Sequence, residues 1–399
     1  MRKRSLRSLD AAVLTGRRAL VRVDYNVPMN DSGGIGDTTR LEGTLPTLRL
    51  LLDGGARPVL LSHLGRPGGR VVPENSLRPV ASVLAQLLGS PVRFVPCTDT
   101  PEAVEASRSL PAGEVLLLEN TRFLPGETSN EPGLGERLAQ LGDFYVNDAF
   151  GTTHRSHASV VGVPTHLEPA VAGLLVELEL DALSRVREAA TRPFIVAFGG
   201  AKIGDKIPLM EAFLTHADRI LVGGAMANTF LAALGMPTGK SLVEGGAIET
   251  AADILRRVPD LLLLPEDLVV GEPGAAGSAR VVPADAIPAD LAAYDIGPAT
   301  RARFSAVIST ARTFFWNGPM GRFETRGFDE GTREVARAAV IATESGAFTV
   351  IGGGDSARAI REAGLDLRVS HVSTGGGAAL EYLAHGALPG LEALDEDEP

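Results

Sequence analysis

Cysteine is nearly absent. Cys97 stands alone, so the chain cannot close a disulfide on itself or supply a cysteine cluster for a metal, which fits a reducing, cytoplasmic setting. Lysine is almost as scarce: only Lys3, Lys202, Lys206 and Lys240 stand against 34 arginines. Two of those four lysines fall in one glycine-rich stretch, residues 199–206. No apolar run reaches the roughly 18 residues that a membrane helix needs, and the basic start Met1-Arg2-Lys3-Arg4 is not followed by the apolar core of a secretory signal. Excess positive charge is missing too. The net charge is −11, and the acidic excess lies wholly beyond residue 170. A pI near 5.2 argues against a nucleic-acid partner, which asks for a basic face.

What is present is the rhythm of α/β proteins. At 399 residues the chain exceeds one usual hydrophobic core, so two domains are expected. Short β-branched or leucine-rich runs alternate with helix-length amphipathic stretches. One series of strands is expected at 20–23, 59–61, 92–95, 115–118 and 144–146, a second at 194–198, 219–222, 261–264, 313–316 and 348–351. Residues 169–190 between them read as a connecting helix. The fold class expected is α/β, with two similar-sized doubly wound, Rossmann-like parallel-sheet domains joined by a helix and a cleft between them. Residues 271–292 have the Gly, Ala and Pro content of a surface excursion, and the acidic tail 395–399 reads as a solvated end.

Open parallel sheets bind ligands beyond the carboxyl ends of their strands, so the residues that follow each strand matter most. After the first series come Asp24 and Asn26, then His63 and Arg66, then Arg122, then a run from Asn147 to Arg155; Arg40 begins an expected helix. An arginine fork suits phosphate or carboxylate. One such arginine would pass as a surface residue, whereas four at successive strand ends point to a shared anion. After the second series come Gly199-Gly200-Ala201-Lys202, Gly223-Gly224, Asn317 and Gly352-Gly353-Gly354-Asp355-Ser356. Glycine there lets backbone approach a phosphate, and the helix start behind it favours negative charge. Lys202 and Lys206 add point charges suited to nucleotide phosphates. Asp355 suits Mg²⁺ held beside phosphates, with helix capping by Asp355 or Ser356 as the open alternative.

Three further patterns carry no chemistry. The stretch 235–241 imitates a Walker A loop, but three residues separate its glycines where four are needed. His154 and His157 lack the further ligands of a zinc site. Cys97 has no nucleophile signature.

Taken in order, V-R-V-D-Y-N-V-P (21–28), S-H-L-G-R-P (62–67), L-E-N-T-R-F (118–123), N-D-A-F-G-T-T-H-R-S-H-A-S (147–159) and G-G-A-K-I-G-D-K-I (199–207) closely resemble phosphoglycerate kinase. So do G-K-S-L-V-E (239–244), D-I-G-P-A-T (295–300), W-N-G-P-M-G-R-F-E (316–324), I-G-G-G-D-S-A (351–357) and H-V-S-T-G-G-G-A (371–378). The resemblance covers essentially the whole chain. It implies Mg²⁺-dependent, reversible phosphoryl transfer between 1,3-bisphosphoglycerate and ADP, giving 3-phosphoglycerate and ATP. It implies a monomer with an N-terminal glycerate domain (1–168), an interdomain helix (169–190), a nucleotide domain (191–377) and a segment (378–399) returning to the first domain. Glycerate binding would fall to Asp24, Asn26, Arg40, His63, Arg66, Arg122 and Arg155. Nucleotide binding would fall to Gly200, Ala201, Lys202, Lys206, Asn317, Glu324, Gly353, Gly354, Asp355 and Ser356, with Asp355 on the metal. Arg40, Lys202 and the helix starts at Gly353 and Gly376 would stabilise the transferring group after hinge closure.

Departures are visible. Asn228 stands where the family commonly has an aromatic, which leaves the adenosine pocket open in detail, and the glycerate loop lacks the lysine often found after Pro67. Rival readings are another acyl-phosphate-forming kinase, a dehydrogenase and a silent binding protein. The dehydrogenase would need a G-x-G-x-x-G after a strand, and none occurs.

Overall fold

The computed structural model describes residues 3–30, 33–272 and 278–397. Its strands, in chain order, are β1 (Arg18–Val23), β2 (Arg57–Leu61), β3 (Val92–Val95), β4 (Val115–Leu118), β5 (Phe144–Asp148), β6 (Ala170–Ala172), β7 (Phe194–Phe198), β8 (Arg219–Val222), β9 (Leu262–Leu263), β10 (Asp267–Gly271), β11 (Arg280–Pro283), β12 (Ala292–Ile296), β13 (Thr313–Asn317), β14 (Phe348–Gly352) and β15 (His371–Val372). The chain divides into two compact units, Met1–Asp181 with Ala387–Pro399, and Ala182–Gly386.

The first unit holds a six-stranded sheet in the order β3-β4-β2-β1-β5-β6. Every pairing is parallel. A parallel sheet is covered on both faces, which is why Val115–Leu118 is all apolar and all buried. Leu41, Leu45, Leu48 and Leu51 recur at helical spacing on the Thr39–Asp53 helix and enter the core with Val21, Val23 and Leu60. The sheet's order reverses between β1 and β5, so loops after those strands meet at the switch point.

The second unit repeats the design with the order β15-β14-β13-β7-β8-β9, again all parallel, and its order reverses between β7 and β13. Phe194–Phe198 is a fully buried apolar run in the middle of this sheet. Beside it lies a smaller antiparallel sheet, β11-β10-β12.

Three expectations need correction. The span 169–190 is not helix throughout: Ala170–Ala172 pairs with β5 as an edge strand, and the helix runs Leu174–Glu188. Gly173 marks the change, and the side chains of Thr47 and Asp148 accept the N–H groups of Leu174 (2.8 Å) and Leu175 (2.9 Å), fixing the helix start there. The excursion 271–292 contains a strand, β11, whose residues are mostly exposed because only one edge pairs; residues 273–277 of it lie outside the described residues. The acidic tail is tied down at first. Asp395 accepts the backbone N–H of Arg4 through its carbonyl (2.9 Å), and Glu396 bridges Lys3; residues 398–399 lie outside the described residues, as do Met1 and Arg2 of the basic start.

Within the second unit the Gly377–His385 helix packs on the Ile207–Phe213 helix, and the chain returns to the first unit from Ala387 onward. No helix among the described residues is long and apolar enough to cross a membrane.

Candidate active site

In the first unit the residues after β1, β2, β4 and β5 converge. Asp24 receives the guanidinium of Arg40, from the first turn of the Thr39–Asp53 helix, and lies 3.7 Å from His63 Nδ1. Asn26 accepts the Gly65 N–H (2.8 Å), tying the β1 loop to the β2 loop. Arg122 donates to the Gly65 carbonyl (2.5 Å) and is held at its own backbone by Asn120, whose Oδ1 accepts the Arg122 N–H (3.0 Å). Arg66, Arg122, Arg155 and His157 line an open recess of about 560 Å³ with Gly68, Gly69 and Thr128.

The electrostatics of this half are those of a site short of negative charge. Burial, reinforced by Arg155 and Arg22, lowers Arg122 to about 10, and burial with Arg66 and Arg22 nearby lowers Arg155. Both remain cationic at neutral pH. Burial and the surrounding arginines hold His63 well below its usual range, and the same causes bring His157 to about 4. Both imidazoles are therefore neutral. An anion entering the recess relieves this mutual repulsion.

Arg22 and His157 escaped the sequence reading as members of this site, His157 having been weighed only as a zinc ligand. Arg22 is fully buried in the central strand β1, where it donates to Ser159 Oγ (2.9 Å) and approaches His63 Nδ1 at 3.1 Å. A guanidinium only donates, so Nδ1 accepts and the His63 proton sits on Nε2. Glu127, also buried, accepts the Ser159 N–H at 3.0 Å and its hydroxyl at 2.5 Å. The available signal was a lone arginine inside an apolar strand, a place where charge survives only with partners.

In the second unit the loops after β7, β8 and β13 are knitted backbone to backbone. The N–H groups of Gly199, Gly200 and Gly224 donate to the carbonyls of Asn317 (2.9 Å), Pro319 (2.8 Å) and Met320 (2.8 Å). These glycines thus owe their place first to close packing of loops: a Cβ on Gly224 would stand 2.5 Å from Gly200 N. Lys206 Nζ bonds the Gly199 carbonyl, whereas Lys202 is exposed. An open recess of about 610 Å³ is lined by Gly200, Ala201, Gly224, Ala225, Leu242, Tyr294, Glu324 and Asp355, among others.

Asn317 is buried. Its Nδ2 donates to the Gly352 carbonyl (2.9 Å) and its Oδ1 has no partner among the described residues. Ser356 Oγ accepts the Gly318 N–H (2.6 Å), so this hydroxyl braces the β13 loop. The Gly354–Glu362 helix starts at Gly353 (φ 87°) and the Gly377–His385 helix at Gly376 (φ 53°), and among the described residues neither start carries a side-chain cap. The capping alternative for Asp355 and Ser356 therefore falls away. Asp355 is exposed and 3.8 Å from Arg358, which also binds Glu324 (2.6 Å).

Gly200, Ala201, Glu324 and Asp355 thus share one recess, with Lys240, Tyr294 and Arg322 as neighbours that the strand-end argument passed over. Tyr294 belongs to β12 of the antiparallel sheet, a position no strand-end rule reaches, whereas Arg322 lies in the loop after β13, several residues past the strand, with its N–H on the Tyr294 carbonyl (2.7 Å).

Two open parallel sheets, one with a cationic recess and one with a glycine-walled recess beyond the carboxyl ends of their strands, are the architecture of an α/β enzyme for charged small molecules. A family model described as phosphoglycerate kinase matches residues 9–385. The chain is 54% identical over 385 residues to a phosphoglycerate kinase of Thermus thermophilus, covering 95% of this chain and 97% of that one. It is 50% identical over 399 residues to the one of Rubrobacter xylanophilus, covering both completely. The solved phosphoglycerate kinase structure from Coxiella burnetii superimposes with a TM-score of 0.87 at 36% identity, and that from Pyrococcus horikoshii with 0.86 at 33%, each covering 98% of both chains. The chain belongs to the phosphoglycerate kinase family.

Proposed function

We propose that this protein transfers the γ-phosphoryl group of ATP to the carboxylate of 3-phosphoglycerate, and runs the reverse reaction from 1,3-bisphosphoglycerate and ADP. The observation that carries the reading is the convergence of Arg66, Arg122 and Arg155 on one recess beside Asp24, Arg40 and His63. Such a set suits a small molecule bearing both a phosphate and a carboxylate.

In this reading the first unit is the glycerate domain. Arg66, Arg122 and Arg155 neutralise the 3-phosphate, while Asp24 and Asn26 orient the glycerate hydroxyl end and His63, protonated at Nε2, donates to the bound acid. The second unit is the nucleotide domain. Its recess takes the nucleoside with Glu324 on the ribose, Lys206, Asn317, Gly354 and Ser356 near the phosphates, and Gly200 and Ala201 as wall.

The carboxylate oxygen attacks phosphorus and the bond to the bridging oxygen of ADP breaks, in line. Little covalent work falls to the protein, so alignment and charge neutralisation govern the rate. Arg40 and Lys202 supply cations to the transferring group, and the helix starts at Gly353 and Gly376 direct backbone N–H groups at it. Because these groups belong to different units, the reading includes hinge closure about the Leu174–Glu188 helix, with exclusion of water.

Mg²⁺ usually takes one or two carboxylates plus phosphate oxygens and water, and Asp355, an exposed carboxylate lining the recess, fits that donor set. The ion would neutralise charge across the β- and γ-phosphates. We further read the protein as a cytoplasmic monomer.

The test is a Mg²⁺-dependent assay with 3-phosphoglycerate and ATP, coupled to reduction of the product, on the wild type and Lys202→Ala. An inactive wild type sinks the reading; a fully active variant sinks the role of Lys202.

A further inference from the structure

The stretch 235–241 lacks the spacing of a Walker A loop, yet the motif that overlaps it, 239–244, ends on a residue that reaches the lysine loop. Glu244 Oε2 accepts two backbone N–H groups, from Ile203 at 2.8 Å and Gly204 at 3.1 Å. Both lie between Lys202 and Lys206. A carboxylate has thus taken the place at this loop that a phosphate could claim, and it holds the turn that leads into the Ile207–Phe213 helix.

The other side of Glu244 is anchored as well. Its own N–H donates to Thr229 Oγ1 (3.1 Å), and the preceding Leu242 carbonyl accepts from Asn228 Nδ2 (3.3 Å). Asn228 and Thr229 are consecutive, fully packed residues of the Gly224–Ala233 helix. That helix contributes Gly224 and Ala225 to the recess, and Leu242 and Val243 form another part of its wall. The wall and the lysine loop are therefore one hydrogen-bonded body, with Glu244 as the joint.

We infer that Glu244 is a positioning residue for phosphoryl transfer: it fixes the 203–204 backbone so that Lys202 and Lys206 are held relative to a nucleotide lodged against Leu242 and Val243. The inference rests on the nucleotide reading of the recess. It assigns Asn228 a place too, as a clamp on the wall segment and not as a contact to the base.

Because a single oxygen accepts both N–H groups, a glutamine carbonyl can replace it, whereas a shorter or apolar side chain cannot. In the full-length protein, Glu244→Ala and Glu244→Asp are expected to lower kcat about tenfold or more, the effect of a displaced catalytic group, with KM for 3-phosphoglycerate nearly unchanged. Glu244→Gln is expected to recover most of that loss. If glutamine is as damaged as alanine, charge and not backbone anchoring is at work, and the inference fails. It fails equally if Glu244→Ala keeps wild-type kcat, or if KM for 3-phosphoglycerate rises in step with the fall in kcat.

A measurement on the wild type needs no folded variant: hydrogen exchange of the Ile203 and Gly204 amides should be slow before any nucleotide is added. Exchange at the rate of an unstructured peptide overturns the inference. Failure of the functional reading is distinguishable, since it would leave the wild type without activity while these amides stayed protected.

Discussion

The two units solve one problem, holding a highly charged small molecule, with different materials. In the first, side chains do the work: Arg22, Ser159, Glu127, His63, Asp24 and Arg40 form a chain of buried or half-buried polar groups behind the recess. In the second, backbone does it, with Gly199, Gly200 and Gly224 locking loops together and glycines opening two helices. A buried side-chain network carries a high desolvation cost and so tolerates no missing member. A glycine framework tolerates no added atom.

The largest expected effect tests the exposed cation of the second unit. Lys202→Ala should lower kcat by about 10²–10³-fold, the usual cost of removing one preorganised charge from a transition state, with little change in folding stability. Arg22→Met tests the side-chain network and should act the other way round. Removing one partner from a buried ionic set costs about 3 kcal/mol, read as a lower denaturation midpoint in urea. If Arg22→Met left stability intact, the contrast drawn between the units would lose its first half.

Gly353→Ala tests the backbone framework. Gly353 has φ 87° and an added Cβ would stand 2.5 Å from Asn317 Nδ2, so about 1–3 kcal/mol of strain is expected. The measured consequence should be a raised KM for nucleotide, with KM for 3-phosphoglycerate unchanged.

The smallest effect joins the units instead of separating them. Burial pushes Asp148 in the first unit and Asp295 in the second to about 7. Each accepts backbone N–H groups where a helix begins, Leu175 for one and Gly331 for the other. Both folded values lie above the unfolded value of 3.8, so the folded protein keeps protons that the unfolded chain releases. This contribution to stability is complete below about pH 4 and is lost as pH rises through about 7, with a slope of at most about 1.4 kcal/mol per pH unit for each group. Asp148→Asn and Asp295→Asn should each flatten the decline between pH 5 and 6 in denaturant titrations.

Much of the architecture is legible in the sequence. Buried parallel strands such as Val115–Leu118 and Phe194–Phe198 announce themselves as apolar runs, and the polar residues just beyond them mark the candidate site. Ala170–Ala172 was not legible, because a three-residue run between Pro169 and Gly173 becomes a strand only through pairing with β5. Arg22 was visible but mute: nothing local states that Ser159 and His63 will stand beside it. Tyr294 was missed because it reaches the recess from a second sheet, and Arg322 because it stands well past the end of β13, beyond the first residues after the strand.

The sequence alone determined the two parallel-sheet units, the arginine-rich and glycine-rich characters of their loops, and the family, since periodicity and ordered motifs are local properties of a chain. Only the tertiary structure decided which groups are spoken for. The Gly200 N–H is spent on Pro319, Ser356 on Gly318, and the 203–204 amides on Glu244, forty residues away. Hydrogen-bond satisfaction is a property of neighbours in space, and a one-dimensional reading cannot assign it.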